Sequence, residues 1–266
     1  MLAHDIVVDN LSVRVWEQQA SHQARPATVV FLHGMTDDGR CLTALAERLS
    51  AVGYRVLLPD APGHGHSQLP PTFTVALRAA QTISAIEQLG EGSVVLGGHS
   101  LGAETAAVVA AQRPDLVRGL VLEEPYIHFG QPENSNNDEV RQWISGLQAT
   151  DQAGRIAWAR DDGPRWDDIE LEPWATSKSL VNIELFDLPS DYLADWSDVA
   201  RALTVPTLLV RGTSDGSIVD TSAAQRFLDL APHAVALAVP ETGHCVRRDN
   251  PVAFDSAMLG FLAGLN

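Results

Sequence analysis

Lysine is almost missing from this chain: Lys178 is the only one in 266 residues, and arginine supplies every other cation. Eighteen basic side chains against 34 acidic ones leave a formal net charge of −16 at pH 7. A surface of that sign repels phosphate, which argues against nucleic-acid partners and anionic membranes and says little about a neutral small molecule. Cysteine is nearly as scarce. Cys41 and Cys245 are too few for a disulfide framework, and Cys245, although it follows His244, is read as a small buried thiol. No apolar run nears the roughly 18 residues of a membrane span, and no basic-then-apolar stretch opens the chain. A cytoplasmic protein is the expectation. Nothing in the sequence specifies an oligomeric state. With 45% apolar residues, the chain can still bury a full core as one domain carrying an insertion.

The most informative residues are Gly98-His99-Ser100-Leu101-Gly102. They follow Ser93-Val94-Val95-Leu96-Gly97, which reads as a buried strand, and open into the Ala-rich run 103–111, which reads as a helix. A strand, a sharp turn and a helix with Ser at the apex is the context that makes G-x-S-x-G a nucleophile elbow. Gly98 and Gly102 let the first helical turn close onto the strand, where a Cβ would clash. The serine hydroxyl is thereby presented at a helix N-terminus, whose N–H dipoles favour negative charge.

With its flanks, this stretch resembles the α/β-hydrolase fold family, and the resemblance extends over nearly the whole chain. The family implies a mostly parallel eight-stranded sheet flanked by helices, with Ser100 as nucleophile. Thr28–Leu32 is a short strand-like run ending in His33-Gly34-Met35. In the family the residue after such an His-Gly supplies an oxyanion-hole amide, here Met35, partnered by the amide of Leu101. Such donors are worth about 3 kcal/mol each. Gly34 is placed in the substrate pocket. Asp60-Ala61-Pro62-Gly63-His64-Gly65-His66-Ser67 matches the family's D-x-x-G-H-G-x-S loop, and His64 and His66, alternating with glycine, read as a turn rather than a metal site. The general base is placed at His244, on the loop after the strand Ala234–Val239 and before a helix beginning near Pro251. His99, inside the elbow, is expected to point away from Ser100.

Two carboxylates compete for the third position. Asp215 ends Gly212-Thr213-Ser214-Asp215 after the strand Val205–Arg211, the turn that commonly carries the triad aspartate, although the next apolar pair comes one residue later than usual. Glu124 ends the preceding strand and matches family members, certain lactonases among them, that draw the acid from there. Asp215 is preferred, with Glu124 as the alternative.

Strand and helix patterns alternate from Ile6 to about Leu122, with Ile6–Val8 and Ser12–Trp16 as an antiparallel edge. After Tyr126 a polar, turn-rich stretch, Gln131–Asp138, interrupts the pattern, and no strand signal returns until Val205. Residues 126–203 are therefore read as a helical lid inserted into a core domain of 1–125 and 204–266. Five of the six tryptophans fall in it: Trp143, Trp158, Trp166, Trp174 and Trp196. One or two are expected to face the substrate pocket, with Trp143 and Trp174 placed there, and the rest to anchor the lid.

The expected chemistry is acyl transfer on a small-to-medium, hydrophobic ester or lactone, without cofactor or metal. An amide or the C–C bond of a β-diketone ranks lower. A cofactor-free oxygenase built from the same residues would consume oxygen. A binding protein using the pocket as a receptor would have no need of an intact Ser, His and oxyanion pair.

Overall fold

The computed structural model describes residues 1–22, 25, 27–90, 92–130, 137–191 and 194–265. Most of the turn-rich Gln131–Asp138 stretch lies outside the described residues. Among the described residues ten strands form: β1 Leu2–Val8, β2 Leu11–Gln18, β3 Thr28–Leu32, β4 Arg55–Pro59, β5 Phe73–Thr74, β6 Val94–His99, β7 Val117–Glu123, β8 Ser190–Asp191, β9 Thr207–Gly212 and β10 Ala234–Val239. The helices are α1 Thr43–Ala51, α2 Val75–Leu89, α3 Leu101–Gln112, α4 Asn137–Gln148, α5 Gln152–Asp162, α6 Asp168–Leu180, α7 Trp196–Ala202, α8 Thr221–Leu230, α9 Val246–Asp249 and α10 Pro251–Gly264.

Eight strands make one sheet in the order β1-β2-β4-β3-β6-β7-β9-β10. The β1–β2 hairpin and the β2–β4 pair are antiparallel, and every later pair is parallel. The composition explains the difference. β3, β4 and β6 are apolar almost throughout and buried on both faces, as parallel strands under two helix layers must be, whereas β1 alternates exposed and buried positions. One core layer packs Leu96, Leu120 and Leu209 against α2, α3 and α8, with Ala79, Ala106 and Phe227. The other packs Phe31, Val95 and Val210 against α1 and α10, with Leu45, Phe254 and Met258.

Between β7 and β9 lie α4, α5, α6 and α7, a 3₁₀ turn at Ile183–Asp187, and β8, which pairs with β5. α4–α6 enclose their own small core of Leu147, Ala159, Leu171, Trp174 and Ala175. α7 differs from them. Its Trp196 is fully buried in the main core, edge-on to Phe227 of α8.

The strand order decides which loops become neighbours. β6 runs between β3 and β7, so the loop ending β6 has the loops ending those two strands on either side. In parallel sheets, sites form at such carboxyl ends.

Candidate active site

Ser100 alone separates the last residue of β6 from the first of α3, and its backbone sits at φ 53°, ψ −117°. A non-glycine residue held in so sparsely populated a region costs roughly 1–3 kcal/mol. The surroundings impose it. A Cβ on Gly98 would lie 2.4 Å from the Gly102 backbone, and one on Gly102 would lie 2.4 Å from the Leu32 oxygen. The two glycines thus let α3 begin directly against β6 and β3. Leu101, as the first helical residue, has an N–H with no acceptor inside the helix.

The same strain recurs on both neighbouring strands. Thr36, beyond β3, has φ 68°, and Glu124, one residue past β7, has φ 46°. Glu124 is fully buried, and its carboxylate is surrounded by donors. The Gly212 amide and the Ser217 hydroxyl each donate to Oε1 at 2.7 Å, and the Ile218 amide donates to Oε2 at 2.6 Å. His244 Nδ1 stands 3.5 Å from the same Oε2, an ion-pair separation longer than a closed hydrogen bond. Burial pushes the Glu124 carboxyl up. The nearby His244 and hydrogen bonds from Ser217, Gly212 and Ile218 outweigh that and hold it below the ordinary glutamate value.

The structure does not match the preference for Asp215. Asp215 is exposed. The loop that bears it turns its Ser217 hydroxyl and Ile218 amide toward the Glu124 carboxylate. Glu123, the neighbouring carboxylate, points the other way, as strand alternation requires, and accepts from the Arg247 amide at 2.7 Å and its guanidinium at 2.9 Å.

His99 does more than turn the chain. Its Nε2 donates to the His244 carbonyl at 2.9 Å, and the two rings lie 4.5 Å apart. Burial, with the nearby charges of Arg247 and His244, holds its pKa well below the usual histidine range, so the ring is neutral. A residue that reads in the sequence as a bystander thus holds the backbone of the His244 loop. Gly34 is not part of the cavity wall. A Cβ there would meet His99 Nδ1 at 2.7 Å and Ser100 Cβ at 3.3 Å, so this glycine admits the elbow instead. Cys245 is half-buried, and burial pushes its thiol up to about 11, which leaves it protonated and unreactive.

Ser100 and His244 line a cavity of about 390 Å³ together with Met35, Cys245 and residues of α4–α6. Four tryptophans line it, more than the one or two expected: Trp143, Trp158, Trp166 and Trp174. Trp158 stacks on Trp174 at 5.2 Å with an interplanar angle of 2°, and Trp143 is tilted against both. Asp37, Lys178 and Arg248 line the same cavity and belong to a buried ionic network. Asp37 receives Lys178 at 2.5 Å and Arg248 at 3.0 Å, with Arg247 3.8 Å away, and Arg248 also reaches Glu170 on α6 at 3.2 Å. The sequence gives no signal for these contacts, because no motif spans α6, the loop after β3 and α9. Among the described residues no three histidine, cysteine or carboxylate side chains converge as a metal would need, and no helix is long and apolar enough to cross a membrane.

Comparison with known proteins agrees with this fold. Among curated proteins, the chain is 29% identical over 249 residues to 2-(acetamidomethylene)succinate hydrolase of Mesorhizobium japonicum, covering 88% of this chain and 87% of the relative. It is 31% identical to lipase LipV of Mycobacterium tuberculosis over 70% of this chain and 74% of the lipase. A crystal structure of E-2-(acetamidomethylene)succinate hydrolase superposes with a TM-score of 0.78, over 98% of this chain and 99% of that one, at 23% identity, a likeness of fold. The model of the alpha/beta hydrolase family matches residues 29–257, from β3 into the first half of α10, and to that family the chain belongs.

Proposed function

We propose that this chain is a serine hydrolase that cleaves an ester or lactone through an acyl-enzyme, with Ser100 as nucleophile, His244 as base and Glu124 as acid. The observation that carries the reading is one cavity lined by a serine on a strained elbow and by a histidine whose far nitrogen faces a buried, ionised carboxylate. His244 takes the Ser100 proton as the oxygen attacks the carbonyl. The amides of Met35 and Leu101 stabilise the oxyanion, and His244 returns the proton to the leaving group. Water, activated by the same imidazole, then releases the acid and frees Ser100. Glu124 holds the imidazole tautomer and stabilises the imidazolium.

The 390 Å³ cavity and its tryptophan walls suit a small-to-medium hydrophobic acyl group or alcohol. In this reading α4–α6 are the lid, and α7, although within 126–203, belongs to the core. A second reading, hydrolysis of an amide, draws on the acetamido group in the name of the Mesorhizobium relative. The test is a fluorophosphonate probe together with a panel of p-nitrophenyl esters of graded length, lactones and acetamides. Wild type should be labelled at Ser100, and S100A should remain folded, escape labelling and lose ~10³-fold or more in kcat. Labelling at any other residue defeats the proposal.

A further inference from the structure

We propose that Lys178, the only lysine of the chain, is a positioning residue that aims the Met35 amide from the α6 side of the cavity. This rests on the proposal that Met35 is an oxyanion-hole donor.

Two peptide planes connect the lysine to that amide. Lys178 is 1% exposed on α6, and its Nζ donates to the Thr36 carbonyl at 3.0 Å as well as to Asp37 Oδ1. Every peptide bond described is trans, so within each unit the C=O and N–H point in opposite directions. A Thr36 carbonyl turned toward Lys178 therefore turns the Asp37 N–H away from it. That N–H donates to the Gly34 carbonyl at 3.2 Å. The Gly34 carbonyl also accepts from the His33 ring at 2.8 Å. His33 Nε2 accepts the Ala61 amide at 2.8 Å, which leaves the proton on Nδ1 for Gly34. The Gly34 carbonyl, held from two sides, belongs to the same peptide as the Met35 N–H, which must point the opposite way.

Lys178 thus acts on Met35 through Thr36 and Asp37. Thr36 also needs such a restraint, because a β-branched residue at φ 68° is otherwise a rare conformer. The ammonium itself is fixed. It lies 4.6 Å from the Trp174 ring centroid and 5.9 Å from that of Trp143, both cavity residues. Docking of α6 and assembly of the oxyanion loop are therefore one event. Had the chain used Lys178 only to neutralise Asp37, the contact with the Thr36 carbonyl would have no purpose, since Arg248 already pairs with Asp37.

The experiment compares wild type, K178M and K178Q in active-site-titrated kinetics, together with inhibition by a trifluoromethyl ketone that mimics the tetrahedral intermediate. K178M removes the donor and keeps the bulk. It should lower kcat roughly 10- to 100-fold with little change in KM, and weaken the ketone by the same factor. K178Q keeps an N–H donor without the charge and should recover part of both losses. A K178M enzyme with unchanged kcat per titrated site, or a ketone affinity that does not follow kcat, overturns the inference. So does a K178Q enzyme no better than K178M, which would show that only the charge matters; K178Q carries the test should K178M fail to fold. A wild type inert to probe and esters alike would overturn the hydrolase reading itself, whereas an active wild type with an unaffected K178M overturns this inference alone.

Discussion

Thr36, Ser100 and Glu124 are three non-glycine residues at positive φ, each just past the end of one of three adjacent strands. Strain of this kind persists only where the surroundings over-determine it. At Ser100 the close packing of Gly98 and Gly102 does so; at Glu124 it is a carboxylate with donors on both oxygens. That cradle makes a sharp prediction. Glu124→Gln should cost about 10⁴-fold in kcat, because an amide cannot stabilise the imidazolium and can hold the ring only in the wrong tautomer. Asp215→Asn should stay within about twofold of wild type, as exposed substitutions away from a site do. Steady-state kinetics on the two variants decide it, and a reversal of the two effects would return the acid to Asp215. The elbow was readable in the residues themselves because the geometry it needs is local, one turn enforced by two glycines four positions apart. The acid was not. Both carboxylates end neighbouring strands, and the choice between them rests on how the stretch after β9 folds, a matter of non-local hydrogen bonds with Glu124.

At the scale of elements, the sequence pattern placed the sheet, its antiparallel edge and a run of helices between β7 and β9, since these depend on apolar periodicity. It does not set α7 apart: Trp196 reads like the other tryptophans of residues 126–203 but packs on α3 and α8. It also gave no sign that Asp37, Lys178, Glu170, Arg247 and Arg248 would meet, because each is ordinary in its own segment. Their meeting has a pH consequence. Burial pushes the Asp37 carboxyl up, but Lys178, Arg248 and Arg247 pull it well below the ordinary aspartate value. A depressed folded-state pKa contributes stability that is present above the unfolded value, about 3.9, and is lost as pH falls through the folded one. Urea titrations of wild type should therefore show stability falling steeply below about pH 4. D37N should be less stable at pH 7 by about 3–5 kcal/mol, with three cations left short of their partner, and its acid limb should be flatter. An unchanged acid limb in D37N would assign the acid sensitivity to other carboxylates.

For the whole molecule, the excess of 16 negative charges is a standing self-repulsion that folding concentrates. Salt shortens its reach to about 10 Å at 0.1 M, while the buried network around Asp37 is shielded from it. Raising sodium chloride from about 10 to about 200 mM should thus raise Tm by roughly 2–4 °C, the shift that ~1 kcal/mol gives a chain of this size. A Tm that falls instead would mean that surface pairs such as Arg113 with Glu87 and Asp115 outweigh the net charge.

The burial of Lys178 has one more consequence. An amine-reactive reagent added to the folded protein meets no lysine at the surface, since the chain has only this one and it is 1% exposed. The single ε-amine is freed for reaction when α6 lifts from the loop after β3 and its contacts with Thr36 and Asp37 break. The rate at which mass accrues at Lys178 is then a clock for that opening. It can be read by mass spectrometry on the unaltered protein, with no label introduced by mutation and no second lysine to confuse the count.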